Sequence, residues 1–416
     1  MTRCARAGRD RRGVAARLPL LLLAILTGCS DGPAAPVKSE PTIRLCNIGT
    51  WLAYRNEGAE WVAADVRGGA AEFAHTERVT LAFTDTVALR SYVVVEFLTA
   101  TQAEARHPCA TTTFLGPTLG TFSGTLRGVV PGDRASVLYG GATSIPSNTA
   151  DSTALSYTLP VMSGLNDLFA VRRSRADTTR IDRVIVRRTP NPSAGQVVNL
   201  DFGSSEAVAP ASFMVSWNDR YATLREAYRS GEMSFPLYAS LSPLPAGAHQ
   251  LLALPGPLRA PDDRYEISLT SSFGPEQSVT AYVRNPADLA LSFGPDPLPP
   301  VITEVAATAT RQLRFDVPSQ AQYGGSVELT VYQSAPMPST LVLLMTREFA
   351  GVAASTWSLA IPDLSRLPGA PVGIGIRPGG WSWQLEVASG ELPHWSVVPP
   401  DGLIVRSAKA WGYSPE

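Results

Sequence analysis

Lysine is almost missing from this 416-residue chain: Lys38 and Lys409 are the only two. Charged residues of all kinds make up 17%. The four histidines, His75, His107, His249 and His394, stand far apart. These scarcities exclude several chemistries. A phosphate cradle needs a Gly-rich loop carrying lysine, and neither lysine sits in one. Zinc-protease chemistry needs two histidines one helical turn apart. The Gly-x-Ser-x-Gly string of a nucleophile elbow does not occur. A calcium loop alternates Asp and Asn around a glycine. The run Asp177–Asp182 holds too few such residues, and the pair Asp262-Asp263 reads as solvated. No metal and no cofactor is expected. Few windows keep a helical apolar period for three turns.

One apolar run is conspicuous, Leu18–Leu26, behind six arginines (Arg3, Arg6, Arg9, Arg11, Arg12 and Arg17). Its nine residues fall short of the about 20 that cross a bilayer. A basic start, a short apolar middle and small residues at the end read as a secretory signal. The run ends in Leu26-Thr27-Gly28-Cys29, which resembles the lipobox of bacterial lipoproteins. The resemblance implies a diacylglycerol on the Cys29 thiol, cleavage before Cys29 and acylation of the new amine. Each buried CH₂ contributes about 0.8 kcal/mol, so two or three chains anchor firmly where one does not. In Gram-negative members an aspartate after the cysteine favours inner-membrane retention. Ser30 therefore points to the outer membrane, and Asp31, one place later, weakens the inference. The alternatives are the periplasmic face of the inner membrane, or secretion. Residues 29–41 form the lipidated N-terminus and a Pro-rich tether.

Removal of residues 1–28 leaves 388 residues, with 29 Lys+Arg against 35 Asp+Glu. A net charge near −6 argues against a nucleic-acid partner, which would call for a basic face. Cys4 is lost with the signal and Cys29 carries lipid. That leaves Cys46 and Cys109 as one pair in an oxidising compartment. A disulfide between them is expected. Metal ligation with His107 is the rival, and two cysteines with one histidine make a poor zinc site.

Glycine (34) and proline (35) are frequent, and alternating Val, Thr, Leu, Tyr and Phe segments lie between them. This pattern marks β-sandwiches. The fold class expected is all-β: three to four tandem immunoglobulin-like sandwiches after a lipoprotein signal peptide. Units are placed at 42–115, 116–209, 210–297 and 298–416. The first holds the apolar run Tyr92–Phe97, expected as a central strand, and a short helix near Thr99–Arg106. The second opens Gly124–Asp133 through a Pro-Gly turn, followed by strands. It resembles prealbumin-like and fibronectin type III-like sandwiches, including carboxypeptidase regulatory-like domains, and carries no functional residues across. The third echoes the second: Asp167 and Phe169 parallel Asp263 and Tyr265, and Phe202-Gly203 parallels Phe293-Gly294. The helical-looking stretch Ala222–Ala227 is read as part of a hairpin turning near Ser230-Gly231. Gly294–Pro300, with four prolines, is a linker.

The fourth unit holds Trp357, Trp381, Trp383, Trp395 and Trp411. Trp381 and Trp383 share one face of a strand. They either stack on sugar rings or fill a core. Trp395 and Trp411, near the Pro399–Gly402 turn, are the better candidates for exposure. The expected role is non-catalytic: a lipid-anchored adhesion, scaffold or binding protein with a protein or glycan partner. One alternative is a carbohydrate-binding lipoprotein using Trp381, Trp383, Trp395 and Trp411. The other is a hydrolase, whose paired carboxylates only spatial separation reveals.

Overall fold

Strands dominate because their apolar residues alternate. In Thr121–Arg127 every second residue is buried, and in Trp381–Ala388 Trp381, Trp383, Leu385 and Val387 all point inward. The structure is a computed structural model. It describes residues 41–414 apart from 88–89, 110–118, 141, 145–152, 163–165, 178–179, 231–232, 272–273, 308–309, 335–337, 352–353, 372–374 and 391–398. The lipobox with Cys29, the tether up to Glu40, Gly231 and Trp395 lie outside these residues.

The chain is an all-β sandwich protein whose strands fall into four groups. The first is β1 (Thr42–Cys46), β2 (Leu52–Asn56), β3 (Val62–Ala63), β4 (Ala70–Ala74), β5 (Arg78–Val87) and β6 (Arg90–Thr99). The second is β7 (Thr121–Arg127), β8 (Arg134–Tyr139), β9 (Ala142–Ser144), β10 (Ala154–Pro160), β11 (Leu168–Arg173), β12 (Ile181–Arg187) and β13 (Leu200–Asp201). The third is β14 (Ala211–Trp217), β15 (Ala222–Ser230), β16 (Met233–Ala239), β17 (Gly247–Ala253), β18 (Arg264–Ser271), β19 (Gln277–Val283) and β20 (Leu289–Leu291). The fourth is β21 (Val301–Ala307), β22 (Arg311–Pro318), β23 (Ser326–Gln333), β24 (Ser339–Thr346), β25 (Thr356–Ala360), β26 (Trp381–Ala388) and β27 (Leu403–Ser414).

All four groups repeat one strand order. A four-stranded layer reads β3-β2-β5-β6, β9-β8-β11-β12, β16-β15-β18-β19 and β24-β23-β26-β27. Facing it is a smaller layer built on the antiparallel pairs β1·β4, β7·β10, β14·β17 and β22·β25. The second and third groups each add a last strand in parallel, β13 on β7 and β20 on β14. The fourth instead adds its first strand, β21, antiparallel on β22. The echo read between the second and third groups is therefore a true repeat, and the same order extends to the first and fourth.

The groups are not joined by links alone. Three of the four-stranded layers merge edge to edge into one twelve-stranded sheet, β16-β15-β18-β19-β27-β26-β23-β24-β6-β5-β2-β3. An open edge carries unpaired N–H and C=O groups, and here neighbouring groups satisfy them. β24 pairs in parallel with β6. β27 is long enough to pair with β19 through Leu403–Ala408 and with β26 through Ser407–Ser414. Pro236 sits in β16, the terminal strand of this sheet, where a missing N–H is tolerated. The linker Gly294–Pro300 is tied down: Tyr323 donates its hydroxyl to the Pro295 carbonyl at 2.7 Å, and Gln277 donates to Asp296 at 2.7 Å.

β6 shows why the run Tyr92–Phe97 is so apolar. Val93 and Val95 face a core shared with β22, β23 and β25, while Val94 and Leu98 face a second core under β1 and β4. A strand buried on both faces loses its alternation. It leads into α1 (Ala100–Arg106), whose N-cap Thr99 and Gln102 form a capping box. The hairpin expected at Ser230 forms from β15 and β16. The second group packs on the third through Phe169, stacked 3.8 Å from Phe235. Arg188 clamps the same seam. It donates to Asp167 at 2.5 Å and Asp263 at 2.6 Å, the two aspartates that head equivalent strands. Among the described residues no helix is long and apolar enough to cross a membrane.

Candidate functional site

One large sheet face is half covered. Over β5 and β6 it lies under β1, β4 and α1, which bury Phe83, Val94 and Leu344 against Ile43, Phe73 and Ala103. The cover stops at β24, and the face continues outward over β23, β26 and β27. Strand register places its side chains in three rungs. The first is Tyr413–Ser382–Tyr332–Thr340. The second is Trp411–Gln384–Thr330–Val342–Val94. The third is Lys409–Glu386–Glu328–Leu344–Glu96.

Three aromatics on this face are exposed: Trp411 (63%), Tyr413 (68%) and Tyr332 (41%). Trp411 and Tyr413 are i and i+2, roughly 7 Å apart along β27. Where the cover ends, a groove of about 370 Å³ opens between the face and the end of α1. Tyr92, Arg106 and His107 line its covered side, Thr330 and Tyr332 its open side, and Val94 and Val342 lie between.

The wall of the groove is fixed from behind. Cys46 and Cys109 form the expected disulfide, with Cα atoms 4.8 Å apart. The Cys46 N–H donates to the His107 carbonyl at 2.9 Å. Glu96, 2% exposed, accepts from Arg106 Nε at 3.2 Å on one oxygen and from His107 Nε2 at 2.8 Å on the other. A carboxylate can only accept, so His107 carries its proton on Nε2. Burial alone would raise the Glu96 pKa, and the His107 and Arg106 contacts outweigh it and hold it below the ordinary value. Glu328 has no such partner: burial and then the charge of Glu386 push it up. Burial and its hydrogen bond to Asp85, at 3.1 Å, push the Tyr92 phenol up to about 12. Lys409 sits 2.7 Å from Glu276 and 3.8 Å from Glu386.

The tryptophans divide between the two faces. Trp381 (2%) and Trp383 (8%) are buried, which removes the stacking role considered for that pair. Trp381 meets Phe315 edge-on, with ring centroids 5.9 Å apart. Trp383 lies across Gly412, its cross-strand partner. A Cβ at Gly412 would stand 2.5 Å from the Trp383 ring, so glycine there lets the indole lie flat. Trp411 faces outward as expected. Tyr332, Tyr413 and Glu328 were missed, although a signal existed. In Ser326–Gln333 the apolar residues Val327, Leu329 and Val331 take the inner face, so a tyrosine on the polar phase must point out.

No group of three or more His, Cys, Asp or Glu suited to a metal occurs among the described residues. A scan against protein-family models finds no match, and no curated protein matches the chain.

Proposed function

We propose that the protein is a lipid-anchored, non-catalytic binding protein of the outer membrane. Acyl chains on Cys29 hold the leaflet, residues 30–41 act as a spacer, and the body presents the open face of β23, β26 and β27. The observation that carries this reading is the exposed set Trp411, Tyr413 and Tyr332 beside the groove. Exposed aromatics gathered on one sheet face of this kind mark interaction sites. The anchor is tested by feeding labelled palmitate to expressing cells. Label should enter the polypeptide and be lost, with the membrane association, in Cys29→Ala. An unlabelled wild-type chain would contradict the proposal.

A further inference from the structure

The chemistry of the open face narrows the ligand class. Its strands present two kinds of surface. Aromatic and apolar patches come from Tyr332, Trp411, Tyr413 and the groove residue Val342. Neutral donors and acceptors come from Ser382, Gln384 and Thr340, set beside the aromatics by register. Both are mounted on strands whose opposite side is core, so little order is lost on binding.

Charge on this face is acidic on balance, since Glu328 and Asp85 line the groove beside Glu96. Arg106 and His107 meet Glu96, and Lys409 lies against Glu276 and Glu386. Among the described residues that sign repels an anionic ligand. The groove falls in the size range of small-molecule sites, about 300–1,000 Å³. It is open to solvent rather than closed into a cavity, which suits a ligand that continues beyond it. A ligand answering all four features carries no negative charge, is extended, has apolar C–H faces, and carries hydroxyl edges.

We propose that this groove and the adjoining face bind a neutral oligosaccharide, one ring in the groove against Tyr332 and later rings across Trp411 and Tyr413. The proposal rests on the reading above that this face is the binding surface. In it Thr340 and Gln384 hydrogen-bond ring hydroxyls, and the disulfide-backed wall at Arg106 and His107 closes one end.

The test uses the full-length protein in detergent micelles on an array of neutral and acidic oligosaccharides. Tryptophan-fluorescence titration with the retained compounds follows. Neutral oligosaccharides should be retained. Tyr332→Ala and Trp411→Ala should each weaken binding by about tenfold, as loss of a central aromatic contact does. Both side chains are exposed, and an unchanged circular dichroism spectrum shows that the fold persists. Retention of acidic glycans alone, no retention, or binding indifferent to both substitutions would overturn the proposal. Such a result would leave the anchored-protein reading to the palmitate experiment.

Discussion

Glu226 lies inside the third sandwich with 1% exposure. One oxygen accepts from the Leu252 N–H at 3.3 Å, and the other has no partner. Burial raises its pKa to about 8. The folded chain therefore holds a proton there that the unfolded chain releases near pH 4.5. Wherever the native state binds more protons, stability falls as pH rises. The contribution is intact below about pH 4.5, declines through the window up to about pH 8, and is flat above it. Glu226→Gln should remove this decline. Its melting temperature should exceed that of the wild type at pH 8.5, and the gap should shrink toward pH 5. An equal gap at both values would refute the buried-acid argument. Glu96 in the groove behaves differently, because His107 and Arg106 hold its pKa down.

At the scale of elements, α1 is held more by its ends than by its length. Seven residues make a marginal helix. The Thr99–Gln102 capping box secures one end, and the Cys46–Cys109 bond follows the other. The disulfide closes a separation of 63 residues. By the loop-entropy relation it stabilises by about 4 kcal/mol. The double change Cys46→Ser, Cys109→Ser should lower the urea midpoint accordingly. It should also speed hydrogen exchange at His107, whose N–H bonds to Ala103. Unchanged exchange at His107 would show that the bond does not brace the groove wall.

Much at this scale was legible in the sequence. The unbroken apolar run of β6 reports burial on two faces. The pairing of the second and third groups was readable because Asp167 and Asp263 head equivalent strands. Ala222–Ala227 carries helix-forming residues and still forms β15, since Ala222, Leu224 and Tyr228 fill the core. The repeat in the first and fourth groups was not legible. The first has a two-residue β3, and the fourth exchanges a parallel last strand for an antiparallel first one. Nor was the merging of edges, because backbone N–H and C=O groups pair without regard to side chain. The groove inherits that blindness. Its walls come from Tyr92 and Tyr332, brought together only by the parallel pairing of β24 with β6.

At the scale of the whole molecule, tandem sandwiches on flexible links would display a surface poorly, since each unit would tumble on its tether. Residues 41–416 instead form one compact unit. The twelve-stranded sheet ties the first, third and fourth groups together. The second is fastened to the third by Phe169, Phe235 and the Arg188 clamp. A body of this kind holds the aromatic face rigid relative to the other strand groups. Its rigidity should appear as cooperativity, because no group of the shared sheet can unfold without exposing the edge of another, and loss of the second uncovers Phe235. Differential scanning calorimetry of the detergent-solubilised protein tests this directly. The shared sheet predicts one dominant transition whose calorimetric and van't Hoff enthalpies agree, whereas separate transitions for the four strand groups would contradict it.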